Sequence, residues 1–175
     1  MKKNEGKEED KVYHPGKSFF AAVVMYFIDT VMMNQGALAF ILVIIMAFWW
    51  LPKSVFLLFK KRSLREPLFK IGIYGLMAAL VFSTNIMNNN MARQGAEVLV
   101  DRINQYHVDK GVYPETLQDL VPAYIEAIPA AKYTMVSGEF IYMNVDEHIT
   151  FFYVHFPPFG RQFYNFDTQA WFYLD

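Results

Sequence analysis

The chain of 175 residues is 54 % apolar and 18 % aromatic, above the roughly 45–50 % apolar share of soluble domains, and its length suits one domain rather than two large ones. A formal net charge of −1 provides no global field that would select nucleic acid or an acidic partner. The sequence has no cysteine, which excludes disulfides, thiolate metal sites and cysteine nucleophiles.

Residues 1–17 mix Lys with Glu and Asp and contain few apolar side chains. Such a segment cannot bury enough apolar surface to order itself, so it reads as a disordered charged tail. The apolar run starts only at Ser18 and no small-residue cleavage site follows it. The expectation is therefore a retained membrane segment rather than a cleaved signal peptide.

Residues 18–87 form the expected membrane region, with helices over about 18–33, 36–59 and 68–87. A spanning helix needs roughly 20 apolar residues, with ~17 as a lower limit. The second and third stretches qualify; the first is short and carries Asp29. Basic residues concentrate in the tail (Lys2, Lys3, Lys7, Lys11, Lys17) and in the loop after the second stretch (Lys60, Lys61, Arg62, Arg65). If all three stretches span, both clusters lie in the cytoplasm and the C-terminal part lies outside it. If only two span and the first lies along the interface, the tail lysines face the wrong side, so three spans are the favoured reading. Asp29 then reads as a carboxylate near the outer headgroups, reached by water; a partner-binding or proton-handling group inside the membrane is the other reading. Trp49 and Trp50 beside Lys53 suit an interfacial belt, with Pro52 kinking or ending the second helix.

Residues 88–175 read as a water-facing module. Asn88 to Asn90 are poor helix formers and mark a membrane exit or a hinge. Ala92, Ala96, Leu99, Ile103 and Tyr106 then recur at alternating spacings of four and three, one amphipathic helical stripe. If the helix runs through the asparagines, it forms one rod from about residue 68 to 108, about 60 Å long. Gly111 is placed as its left-handed stop. Pro114 is expected to open a short helix, with Glu115 at its positive end and Leu117, Leu120 and Val121 as its apolar face. Pro122 ends it; Tyr124, Ile125 and Ile128 follow as anchors, and Pro129 closes the segment. From Glu139 the period changes to two, and short runs rich in Phe, Tyr, Ile, Val and Trp alternate with turn chemistry at 146–147, 157–160 and 167–168. This predicts an antiparallel meander of three or four strands with one face on the amphipathic helix, an α+β module.

The connector Y-x-x-x-x-G-x-YP followed by L-x-x-L-V-P-x-Y-I-x-x-IP, behind a hydrophobic helix and ahead of a small meander, resembles the soluble domains of type II secretion pseudopilins and, more loosely, type IV pilins. The residues that carry the resemblance are Tyr106, Gly111, Tyr113, Pro114, Leu117, Leu120, Val121, Pro122, Tyr124, Ile128 and Pro129, with Phe140, Tyr142, Tyr164 and Trp171 in the strands. It covers about residues 68–175. Two departures stand out: no prepilin-peptidase signature precedes the third apolar stretch, and extra apolar helices lie upstream. The resemblance thus implies a pilin-like domain outside the cytoplasm, not a processed subunit that polymerises. It supplies no calcium site, because Asp146, Glu147, Asp167 and Asp175 form no recognisable loop motif.

No other constellation points to catalysis. His107 and Asp109 at the helix end read as a cation favoured by the helix dipole rather than half a metal site. His148 and His155 are an odd number of positions apart on one strand and face opposite sides. Serine elbows, phosphate loops and dinucleotide fingerprints are missing from the sequence. The aromatics of the last third exceed what one sheet face can bury; they read as core and membrane-facing packing or as a partner surface, for which Tyr153, Tyr164, Trp171 and Tyr173 are the candidates. The sequence thus leads us to expect a non-catalytic protein of the bacterial inner membrane, with neither cofactor nor nucleic acid. Its partners would be the lipid bilayer and a protein of the cell envelope, as in an accessory of secretion or pilus machinery. The alternative is a membrane immunity protein that neutralises a toxin.

Overall fold

The structure, a computed structural model, describes residues 15–60, 62–145, 148–156 and 159–175. The charged tail up to His14 and the turns at Asp146–Glu147 and Pro157–Pro158 lie outside the described residues. Three helices come first: α1 (Pro15–Met33), α2 (Ala37–Phe59) and α3 (Arg65–Lys110). A single-turn 3-10 helix (Leu117–Leu120) and four strands follow: β1 (Ile141–Val145), β2 (His148–Phe156), β3 (Phe159–Asn165) and β4 (Ala170–Leu174). Each of the three long helices is long and apolar enough to cross a membrane.

Asn34 and Gly36 both adopt positive φ, 50° and 70°. This left-handed pair reverses the chain within three residues, so α2 returns beside α1. Contacts along the helices set their directions. Tyr26 meets Thr84 and Asn34 meets Asn88, so α1 ascends with α3. Gly36 lies against Asn85 while Trp50 lies against Tyr74, so α2 runs against α3. Lys17, Lys60, Arg62 and Arg65 therefore fall at the end of the bundle opposite the α1–α2 turn.

Pro52 does not end α2. The chain widens by one π-type turn over Met46–Trp50 and the helix continues to Phe59. Pro52 occupies the start of that last segment, where its missing N–H costs least. The asparagines 88–90 neither break nor hinge α3, which runs unbroken for 46 residues, about 70 Å. Asn88 is buried and donates through Nδ2 to Asn34 Oδ1 at 3.0 Å, and this tertiary partner outweighs its weak helix propensity.

The upper part of α3 carries the α+β head. The sheet is an antiparallel meander in the order β1-β2-β3-β4, with Phe151 opposite Tyr142 and Tyr164, and Phe163 opposite Phe152 and Phe172. The helical stripe Ala92, Ala96, Leu99 and Ile103 is fully buried against the inner sheet face, with Phe140, Phe151, Tyr153 and Phe166. The small side chains at 92 and 96 let the sheet approach. Gly95 extends this: a Cβ there would stand 3.1 Å from the Phe140 ring.

Candidate functional site

The connector is where the predicted residues meet. Gly111, at φ 75°, stops α3, and its N–H donates to the His107 carbonyl at 2.8 Å. That reversal lays the Tyr113 ring flat on His107, with centroids 4.0 Å apart. His107 is thus a stacking partner. Pro114 is buried, and its carbonyl accepts from the Tyr142 hydroxyl at 2.7 Å and from Asn144 Nδ2 at 3.0 Å. The short helix does not open at Pro114, contrary to the expectation. Thr116 caps it, and Asp119 reaches back to the Thr116 N–H at 2.8 Å, a reciprocal capping box. Leu120 is fully buried, Leu117 and Tyr124 pack against the same core, and Tyr124 meets Tyr106 at 5.3 Å. Pro122 follows a cis bond, and Pro129 lies beside Gly95 on α3. These residues position the sheet on the helix. Burial raises the pKa of Tyr142 and of Tyr113, which keeps the Tyr142 hydroxyl a neutral donor and the Tyr113 ring a neutral stacking partner.

All four residues expected on a partner surface lie on the helix-facing side of the sheet, and three of them are covered. Tyr153 is only 3 % exposed. Tyr164 and Trp171 are partly buried, pack on the core and meet edge to face at 5.1 Å. Tyr173 is 47 % exposed and sits edge-on to His155 at 6.0 Å. The reason is parity: positions 151 and 153 share the helix-facing side of β2, so the even positions face away. The outward aromatics are Phe152, Phe163 and Phe172, one cross-strand row with centroid spacings of 4.5 and 5.4 Å. Exposed Met143, Val145, Phe156 and Leu174 share that face with the row. Alternation within HITFFYVHF carried this signal; tyrosine and tryptophan content obscured it.

Two further features were not foreseen. The first is Lys132, which is only 2 % exposed and donates to the His155 carbonyl at 2.7 Å. Burial pushes its pKa down to about 8. His155 is also lowered, first by burial and then by the Lys132 charge, and its Nδ1 has no partner. Lys132 borders a groove of about 530 Å³ with Thr134, Ser137 and Glu139. In the same loop the Met135 N–H donates to the Val31 carbonyl at 2.8 Å, so the head rests on the last turn of α1, next to the α1–α2 turn.

The second is a polar joint at that turn. Asp29 is fully buried rather than bathed by water, and its Oδ2 accepts from the Ala39 N–H at 2.8 Å, capping the first turn of α2. The water-reached reading is thereby corrected: the left-handed turn folds the α2 N-terminus onto the carboxylate and closes it off. Among the described residues no group of three or more His, Cys, Asp or Glu could hold a metal ion. Comparison with protein-family models, with curated proteins and with solved structures finds no match for the chain.

Proposed function

We propose that this is a non-catalytic integral membrane protein of the bacterial inner membrane that presents a pilin-like α+β head outside the cytoplasm for protein–protein binding, as an accessory of envelope secretion or pilus machinery. The observation that carries this reading is the continuity of α3: one helix is both an apolar candidate span and the spine of the head. Large apolar side chains such as Phe19, Phe20, Phe40, Ile41 and Phe48 stay uncovered on the three helices, a surface suited to lipid rather than water. Lys17, Lys60, Arg62 and Arg65 lie at the end away from the head, as the positive-inside rule requires of that orientation. The Gly111–Pro129 connector supports the pilin-like part of the reading, and the outward Phe152–Phe163–Phe172 row is the face offered to a partner.

A reporter active only outside the cytoplasm, fused after Asp175, tests the orientation. It is expected to be active; activity of a cytoplasmic reporter instead would overturn the orientation and the pilin-like analogy together. Affinity capture of the intact protein, compared with a Phe163→Ser variant, tests the binding role. Envelope-machine subunits lost in the variant support it, whereas a single toxic partner would transfer the case to the immunity reading.

A further inference from the structure

The turn between α1 and α2 meets α3 through polar side chains. Asp29, Thr30, Asn34 and Asn85 are each more than nine-tenths buried. Asp29 Oδ1, Thr30 Oγ1, Asn85 Oδ1 and Asn89 Oδ1 are all shielded from solvent and have no hydrogen-bond partner. Asn85, Asn88 and Asn89 occupy positions i, i+3 and i+4, one face of α3. The Asn88–Asn34 hydrogen bond ties that face to the turn. Gly36 approaches so closely that a Cβ on it would stand 3.0 Å from Asn85 Nδ2.

The donor and acceptor inventory is lopsided. Oxygens dominate the unpartnered atoms, and Asn34 Nδ2 is the one unpartnered amide nitrogen among them. Exchanging the oxygen and nitrogen of Asn85 or Asn89 would alter hydrogen bonding but supply no positive charge to Asp29. The cations nearest along the chain are engaged elsewhere or distant. Arg93 pairs with Glu97 at 3.0 Å on an exposed face of α3. Lys132, in the loop that rests on the last turn of α1, donates to the His155 carbonyl. Lys17, Arg62, Arg65 and Lys70 belong to the far end of the bundle. A buried carboxylate needs a compensating charge or proton, and buried oxygens need a partner.

We propose that this joint binds a small monovalent cation of the sodium class, held by Asp29 Oδ1 with the neutral oxygens of Thr30, Asn85 and Asn89. Hard oxygen donors select alkali and alkaline-earth ions over softer metals. A single carboxylate balances one positive charge, whereas calcium sites gather several. The ion fastens the α1–α2 turn to α3 directly beneath the head. This inference stands on the joint's own atoms and survives failure of the proposed orientation or partner.

The test is thermal unfolding of the full chain in detergent, with sodium chloride compared with choline chloride at matched ionic strength. Sodium is expected to raise Tm saturably by several degrees, and ²³Na resonance broadening should report the same site. Asp29→Asn is expected to abolish both signals. Because that variant alters a buried cap and could misfold, Asn89→Ala is the second probe. Measured against its own Tm in choline, it is expected to need more sodium for the same shift. Equal Tm in the two salts would mean that sodium does not occupy the joint and would overturn the inference. So would a response to calcium but not sodium, or a sodium response unchanged in Asn89→Ala.

Discussion

The lower and upper halves of α3 build two cores of opposite character. Below, Ala22, Ala39, Leu42, Met77, Ala78 and Val81 are buried, while phenylalanines of α1 and α2 point outward. Above, the helix again contributes small residues, Ala92 and Ala96, but large aromatics close over them: Phe140, Phe151, Tyr153 and Phe166. In water, burying a large ring is the main source of stability, so rings go inside. In lipid, large apolar side chains lose nothing by facing the solvent, and helices associate through small residues that permit close approach. If the lower half spans a membrane as proposed, the position of the aromatics, outside below and inside above, distinguishes the two solvents.

The largest effect that would sharpen this contrast is expected at Phe151, the largest fully buried side chain of the head. Phe151→Ala should cost about 3–5 kcal/mol in the head's unfolding free energy, measured by denaturant titration. A loss below about 1 kcal/mol would mean that the ring does not anchor the core.

The next concerns Lys132, a buried charge at the seam between the halves. Its pKa is about 8 in the fold against 10.5 for the free side chain. Between these values the unfolded chain binds more protons than the folded one, so stability rises with pH across that window. Equivalently, the stability present above 10.5 is lost as pH falls through about 8. Between pH 8 and 10 the head should gain about 2 kcal/mol, and Lys132→Met should flatten the slope. Above the ordinary tyrosine pKa of 10.0 the raised pKa of Tyr142 acts in the opposite sense, so the measurement stops there. An unchanged slope in the variant would remove Lys132 as its source.

The smallest effects test the lower core. Ala39→Leu, at a fully buried helix contact, should cost about 1–3 kcal/mol through overpacking. Phe40→Ala, at its exposed neighbour, should change stability in detergent by less than about 0.5 kcal/mol. The reverse order in a thermal-shift assay would break the inside-out contrast between the two halves.

Much of the architecture was legible because it rests on periodicity. Three long apolar runs, a stripe at spacings of four and three, and alternation in the last third lead to helices and a meander whatever their partners are. The left-handed stop at Gly111 is equally local, since few residues other than glycine adopt that backbone conformation without strain. Side-chain destinations were less legible. Tyr153 and Trp171 looked like surface anchors by residue type, but strand parity and the arrival of α3 sent them inward. Asn88 to Asn90 read as a membrane exit or a hinge, with a continuous rod as the alternative, and Pro52 as a kink or an end; a buried partner keeps Asn88 helical, and a widened turn accommodates Pro52.

From the sequence alone come the three apolar helices, the one-domain α+β head, its strand chemistry and the turn residues of the connector. Each follows from short-range preferences and the solvent each face seeks. Only the tertiary structure decided that α3 is continuous, that Asp29 caps α2 out of reach of water, that Lys132 is buried beside His155, and that Phe152, Phe163 and Phe172 form the outward row. Each of these depends on residues brought together across tens of positions, and propensity at any one of them carries no record of the partner.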